Sequence, residues 1–75
     1  MHPLREIRIQ LSLSQTMLGK MANTHRMTIS RIETGKNNPR LFLTKDRIWN
    51  ALMTRRKRLR MNHIEIDFNR IFPNR

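Results

Sequence analysis

Residues 13–36 read LSQTMLGKMANTHRMTISRIETGK, two short amphipathic stretches on either side of one asparagine. Ser14 suits the N-cap of the first stretch, because its hydroxyl can accept from an amide that the opening turn leaves unpaired. Met17, Leu18 and Met21 follow at helical spacing, which predicts a helix from about Gln15 to Ala22. Asn23 is one of the few non-glycine residues that tolerate a left-handed turn, so the helix ends there. After Thr24 and His25 the period resumes. Ile29 and Ile32 fall on the inward face, with Met27, Ser30 and Arg31 opposite. Gly35 closes this helix.

Upstream, Leu4, Ile7 and Leu11 recur at spacings of three and four behind Pro3, which predicts a helix reaching about Ser12. Downstream, Lys36 to Arg40 has the composition of a loop. Thr44 is then the expected cap of a fourth helix that ends near Asn62. Its inward stripe is Ile48, Leu52 and Leu59, with Trp49 and Met53 beside it. Met17, Met21, Met53 and Met61 read as core filler, and Met27 alone has the phase of an exposed methionine. From His63 to Phe68 the period changes to two: Ile64, Ile66 and Phe68 alternate with Glu65 and Asp67, as in a half-buried strand. A lone strand is unstable, and no second strand pattern exists in the chain. Its economical partner is therefore the same strand of another copy. The expectation is a mainly α fold: residues 1–62 form about four helices, and residues 63–75 form a dimerisation strand or tail using Ile64, Ile66, Phe68, Ile71 and Phe72.

The chain has 75 residues, enough for one core. Sixteen Lys and Arg against five Asp and Glu leave a formal charge of +11, far beyond what solubility requires. Residues 1–40 carry seven basic and two acidic side chains, and residues 41–75 carry nine and three. Both halves should face a polyanion, and nucleic acid is the expected partner. With no cysteine there is no disulfide framework and no thiolate zinc site, and a reducing compartment fits. No membrane span and no signal-like apolar run is visible, so the expected location is the cytoplasm, at the nucleoid.

Two short helices joined by a tight turn, the second with a polar outer face, have the geometry of a helix-turn-helix DNA-binding unit. From Leu4 to Pro39 the chain resembles, without a gap, the lambdoid phage repressor and Cro family, often called the XRE family. The residues that carry the match are Arg8, Leu13-Ser14-Gln15, Leu18-Gly19, Thr28-Ile29-Ser30-Arg31-Ile32-Glu33, Gly35-Lys36 and Asn38-Pro39. Three positions depart from the family's habit. Gly19 stands where alanine is usual, Ala22 where a large aliphatic is usual, and Asn23 where glycine is usual; Met21 is expected to recover the packing. The family also commonly adds a short fifth helix, where this chain has a basic run and the strand-like segment.

The resemblance implies that Arg26 to Thr34 is a recognition helix, with Arg26, Met27, Thr28 and Arg31 entering the major groove. An arginine there can bind guanine through two hydrogen bonds, and Met27 or Thr28 can touch a thymine methyl. Ser14, Gln15 and His25 would meet phosphates near the helix starts, Gln15 at a phosphate or a base edge. Lys36, Asn37, Asn38 and Arg40 would grip the sugar-phosphate backbone. Arg8 and Glu33 would meet across two helices in a structural salt bridge. The implied function is sequence-specific duplex DNA binding by a transcriptional regulator: a repressor that occupies a palindromic operator as a homodimer. Compact members of this kind resemble phage Cro-like repressors, plasmid regulators, restriction-modification controllers and antitoxins.

Other readings remain open beside this one. The chain could be an antitoxin-type DNA-binding partner whose Ile64 to Phe72 segment docks on a second protein, or a nucleic-acid-coating protein without sequence readout. The run Arg55-Arg56-Lys57-Arg58-Leu59-Arg60 could contact phosphates, lie on an anionic membrane or form a solvated helix face. His2, His25 and His63 have no ligand partner at metal spacing. Glu65 and Asp67 read as edge charges that discourage further strand pairing, not as an acid-base pair. No enzyme activity, cofactor, metal or small-molecule ligand is expected.

Overall fold

The computed structural model describes residues 2–36 and 42–73. Its elements are α1 (Pro3–Gln10), α2 (Gln15–Met21), α3 (Arg26–Glu33), α4 (Phe42–Arg58) and α5 (Phe68–Ile71). The starts of α1, α2, α3 and α5 are each capped by a side chain. The Leu4 amide donates to His2 Nδ1 at 3.1 Å, the Met17 amide to Ser14 Oγ at 3.0 Å, the Met27 amide to His25 Nδ1 at 3.1 Å and the Asn69 amide to Asp67 Oδ1 at 3.0 Å. Each bond satisfies one of the donors that an opening turn leaves without a backbone acceptor.

The ends of α1 to α4 share one device. A residue in the left-handed region, at Ser12 (φ 55°), Asn23 (φ 53°), Gly35 (φ 76°) and Arg60 (φ 55°), turns the chain out of the helix. Two amides then reach back across it. After α2, for example, the Thr24 amide donates to Gly19 O at 2.8 Å and the Asn23 amide to Lys20 O at 3.2 Å. This is the Schellman pattern. Asn23 and Gly35 play their expected parts, whereas Ser12 and Arg60 adopt the same conformation without being glycine or asparagine.

The core gathers one stripe from each helix. Leu4, Ile7 and Leu11 meet Leu13, Leu18, Ala22, Ile29 and Ile32 from the central unit and Ile48, Ala51 and Leu52 from α4, all buried. Ala22 is thus core, and its small side chain suits the close approach of the helices around it. Met21 does not recover packing there. It is 41% exposed and Met17 is 43% exposed, contrary to their reading as core filler. On α2 the inward arc is already taken by Leu18 and Ala22, leaving the methionines beside it. Met61 does pack against the core, and Met53 is half-buried. Thr44 is not a cap, because α4 begins at Phe42. That helix ends at Arg58, before the expected Asn62, and Leu59 in the turn that follows is half-buried.

The C-terminal segment is the largest correction. No strand occurs among the described residues, and residues 63–72 fold back onto their own chain. Ile64, Ile71 and Phe72 are buried in the core, with Ile66 and Phe68 packed against it. Asp67, expected on a strand face, caps a short fifth helix, the element common in the family that the strand reading had replaced. Phe68 stands edge-on to Trp49 of α4, with ring centroids 5.5 Å apart, and lies 5.3 Å from Phe72. The alternating pattern reports which side chains face inward but not whether a ladder partner exists. Burying each large apolar side chain contributes roughly 1.5–3 kcal/mol, and the chain's own core accepts these without a second copy.

Candidate nucleic-acid interface

Helix α3 divides by phase. Ile29 and Ile32 are buried against the core, while Arg26, Met27 and Arg31 are exposed and Thr28 and Ser30 are half-buried. At about 100° per residue, Arg26, Ser30, Met27 and Arg31 form one continuous outward arc, and Thr28 sits at its edge. Ser30 belongs to this surface although it was not among the expected contact residues; its phase opposite Ile29 and Ile32 was the available signal. His25 is exposed, and Nδ1 is committed to the Met27 amide, so the imidazole is held at the start of the helix with Nε2 pointing the other way around the ring.

The turn before α3 is held tightly. A Cβ on Gly19 would lie 2.9 Å from the Thr24 carbonyl oxygen and 3.2 Å from the Arg26 nitrogen. Backbone atoms fill the space that a side chain would need. Glycine costs about 1 kcal/mol of helix propensity against alanine, but here it permits the close crossing of α2 over the entrance to α3. These two helices are therefore closely packed at the turn.

Behind them lies a polar clamp. Arg8 Nε donates to Glu33 Oε2 at 2.7 Å and a terminal nitrogen of Arg8 donates to Glu33 Oε1 at 3.0 Å, while its other terminal nitrogen reaches the Leu13 carbonyl at 2.8 Å. The side chains of Arg8 and Glu33 are only 12% and 3% exposed. A two-pronged, nearly dry pair of this kind fixes orientation as well as charge. Gln15 Nε2 also donates to Glu33 Oε1, at 3.3 Å. The network thus links α1, the start of α2 and the end of α3, and it ties the Gln15 amide to the Glu33 carboxylate. Ser14 is exposed and serves as the cap of α2.

Lys36, three residues beyond the end of α3, is exposed; Asn37, Asn38 and Arg40 lie outside the described residues. The basic run divides into two kinds of residue. Arg55 Nε donates to the Leu11 carbonyl at 3.0 Å, with a longer 3.4 Å contact to the Ser12 carbonyl, so it satisfies acceptors where α1 ends. Arg56 donates to the Ile64 carbonyl at 3.0 Å and ties the C-terminal segment to α4. Lys57, Arg58 and Arg60 are exposed. Among the described residues no three His, Cys, Asp or Glu side chains gather as a metal site would require. No helix among them is long and apolar enough to cross a membrane.

A family model described as helix-turn-helix matches residues 4–43, more than half of the chain. No curated protein and no solved structure matches it.

Proposed function

The chain belongs to the helix-turn-helix family of XRE type, a family of DNA-binding transcriptional regulators, and on that premise we propose that it is a repressor reading a two-fold symmetric operator as a homodimer. The observation that carries the reading is the outward arc of α3, basic at Arg26 and Arg31, apolar at Met27 and rigidly mounted on the core. Arg31 is assigned to a guanine edge, Met27 and Thr28 to thymine methyls, and Arg26 and Ser30 to neighbouring bases or phosphates. Gln15, with one amide N–H turned to Glu33, keeps its carbonyl oxygen and second N–H for an adenine edge or the backbone. Ser14, His25 and Lys36 are assigned to phosphates, as are Asn37, Asn38 and Arg40. Two such units about one DNA turn apart would read both half-sites from one face of the duplex, and repression would follow from occupying promoter DNA. The dimer would use a surface other than residues 63–72, whose apolar side chains serve the monomer core.

The same burial weakens the reading in which Ile64 to Phe72 docks on a second protein. Binding without sequence readout is the competing explanation of the +11 charge. Selection of bound sites from random duplex DNA at about physiological salt separates the two. The expected result is an inverted repeat with half-site centres about one helical turn apart. An unenriched pool would leave charge as the whole of the affinity and overturn the proposal.

A further inference from the structure

Between α2 and α4 lies a groove of about 410 Å³ lined by Met17, Lys20, Met21, Thr54, Arg55 and Arg58. Met17 and Met21 stand one turn apart on α2 and Thr54 and Arg58 one turn apart on α4, so the groove runs along two helical ridges. The floor is apolar: two thioether side chains more than two-fifths exposed, and the aliphatic stem of Arg55, whose guanidinium is drawn away to the Leu11 and Ser12 carbonyls. The rim is cationic. Lys20 and Arg58 are exposed, and neither has an ion-pair partner among the described residues. None of the five acidic residues of the chain lines the groove.

We propose that this groove is the docking site for an acidic amphipathic helix of a partner protein, which would lay apolar side chains on Met17 and Met21 and carboxylates against Lys20 and Arg58. Two flexible methionines suit a floor that must adapt to another helix's side chains. A groove flanked by helical ridges takes an amphipathic helix through residues spaced three and four apart. Charge selects among occupants. A second copy of this chain brings a net +11 to a cationic rim, whereas an acidic helix is attracted to it and held in register. A DNA backbone would satisfy the rim and leave both thioethers uncovered. No α3 residue lines the groove, so its occupancy can be read separately from DNA binding.

The test uses the full chain with ¹³C-methyl-labelled methionines and, as probe, a synthetic helical peptide with leucines on one face and glutamates on the other. At about physiological salt, saturable shifts are expected at the Met17 and Met21 methyls while Met27 stays unmoved. A peptide of the same composition, scrambled so that its leucines share no face, should bind at least tenfold more weakly. The Met17→Gln/Met21→Gln variant should lose the peptide and keep its helical circular dichroism and DNA binding. The Lys20→Glu/Arg58→Glu variant should lose the peptide as well, and it carries the test should the first variant fail to fold. Equal binding of the scrambled peptide would reduce the effect to charge and overturn the proposal. So would an absence of shifts, shifts at the groove methyls driven by duplex DNA, or shifts that follow protein concentration without peptide.

Discussion

Arg31 and Glu33 lie two residues apart on α3 and have opposite duties. Arg31 is exposed, and among the described residues its guanidinium has no hydrogen bond or ion pair, so its replacement is expected to leave the fold intact. On the proposed mapping, Arg31→Ala removes about 1–3 kcal/mol of discrimination at one base per half-site. A selected-site profile that loses information at a single symmetric position is the expected outcome, and an unchanged profile would remove Arg31 from the recognition surface. Glu33 is nearly dry and holds Arg8 with two hydrogen bonds. Glu33→Gln keeps the shape and strands the arginine charge, at an expected cost of about 3 kcal/mol. Denaturant unfolding checks it; a loss under about 1 kcal/mol, typical of exposed pairs, would show that water reaches the site. Arg8 and Glu33 are 25 positions apart in the chain, and their pairing was legible only through the family resemblance, since spacing alone does not bring two helices together. Arg55 was less legible still: a run of guanidinium groups does not say which of them will find an open carbonyl.

At the scale of the element, helix boundaries follow from local chemistry wherever a cap or a left-handed residue marks them. Ser14, Asn23 and Gly35 were readable for that reason. His2 was not, although it caps α1 through Nδ1. Burial holds its pKa below the ordinary histidine value, partly opposed by the Glu33 carboxylate. The folded chain therefore favours the neutral ring, and the unfolded chain binds the proton more readily. The contribution is present above the ordinary histidine pKa and is lost as pH falls through the lower, folded value. His2→Asn keeps a capping acceptor that does not titrate. Thermal unfolding from neutral to mildly acidic pH should show wild type losing more stability than this variant, and parallel losses would place the proton elsewhere. The methionines of α2 and the segment after α4 were misread at this same scale. A period of 3.6 or 2 names a face, while neighbouring elements decide how wide a buried arc has room.

For the whole molecule, charge is the property that acts at a distance. If Lys36 touches a phosphate, neutralising it as Lys36→Gln should weaken binding to all sequences alike. It should also reduce the slope of log affinity against log salt by about 0.9, the counterions one phosphate contact releases. A salt titration of wild type and variant on one duplex checks this, and an unaltered slope would take Lys36 off the backbone. The net charge, the helix-turn-helix and the inward faces of α1 and α3 were determined by sequence alone, because charge sums along the chain and capping and periodicity act within one or two turns. Tertiary structure decided what depends on distant surfaces meeting. It turned the alternating C-terminal segment into a short helix closing the chain's own core, assigned Arg55 and Arg56 to carbonyls of other segments, and left Met17 and Met21 open in a cationic groove. Each of these outcomes is set by which surfaces fill the limited space around one small core, a competition between segments up to 44 residues apart that no local pattern records.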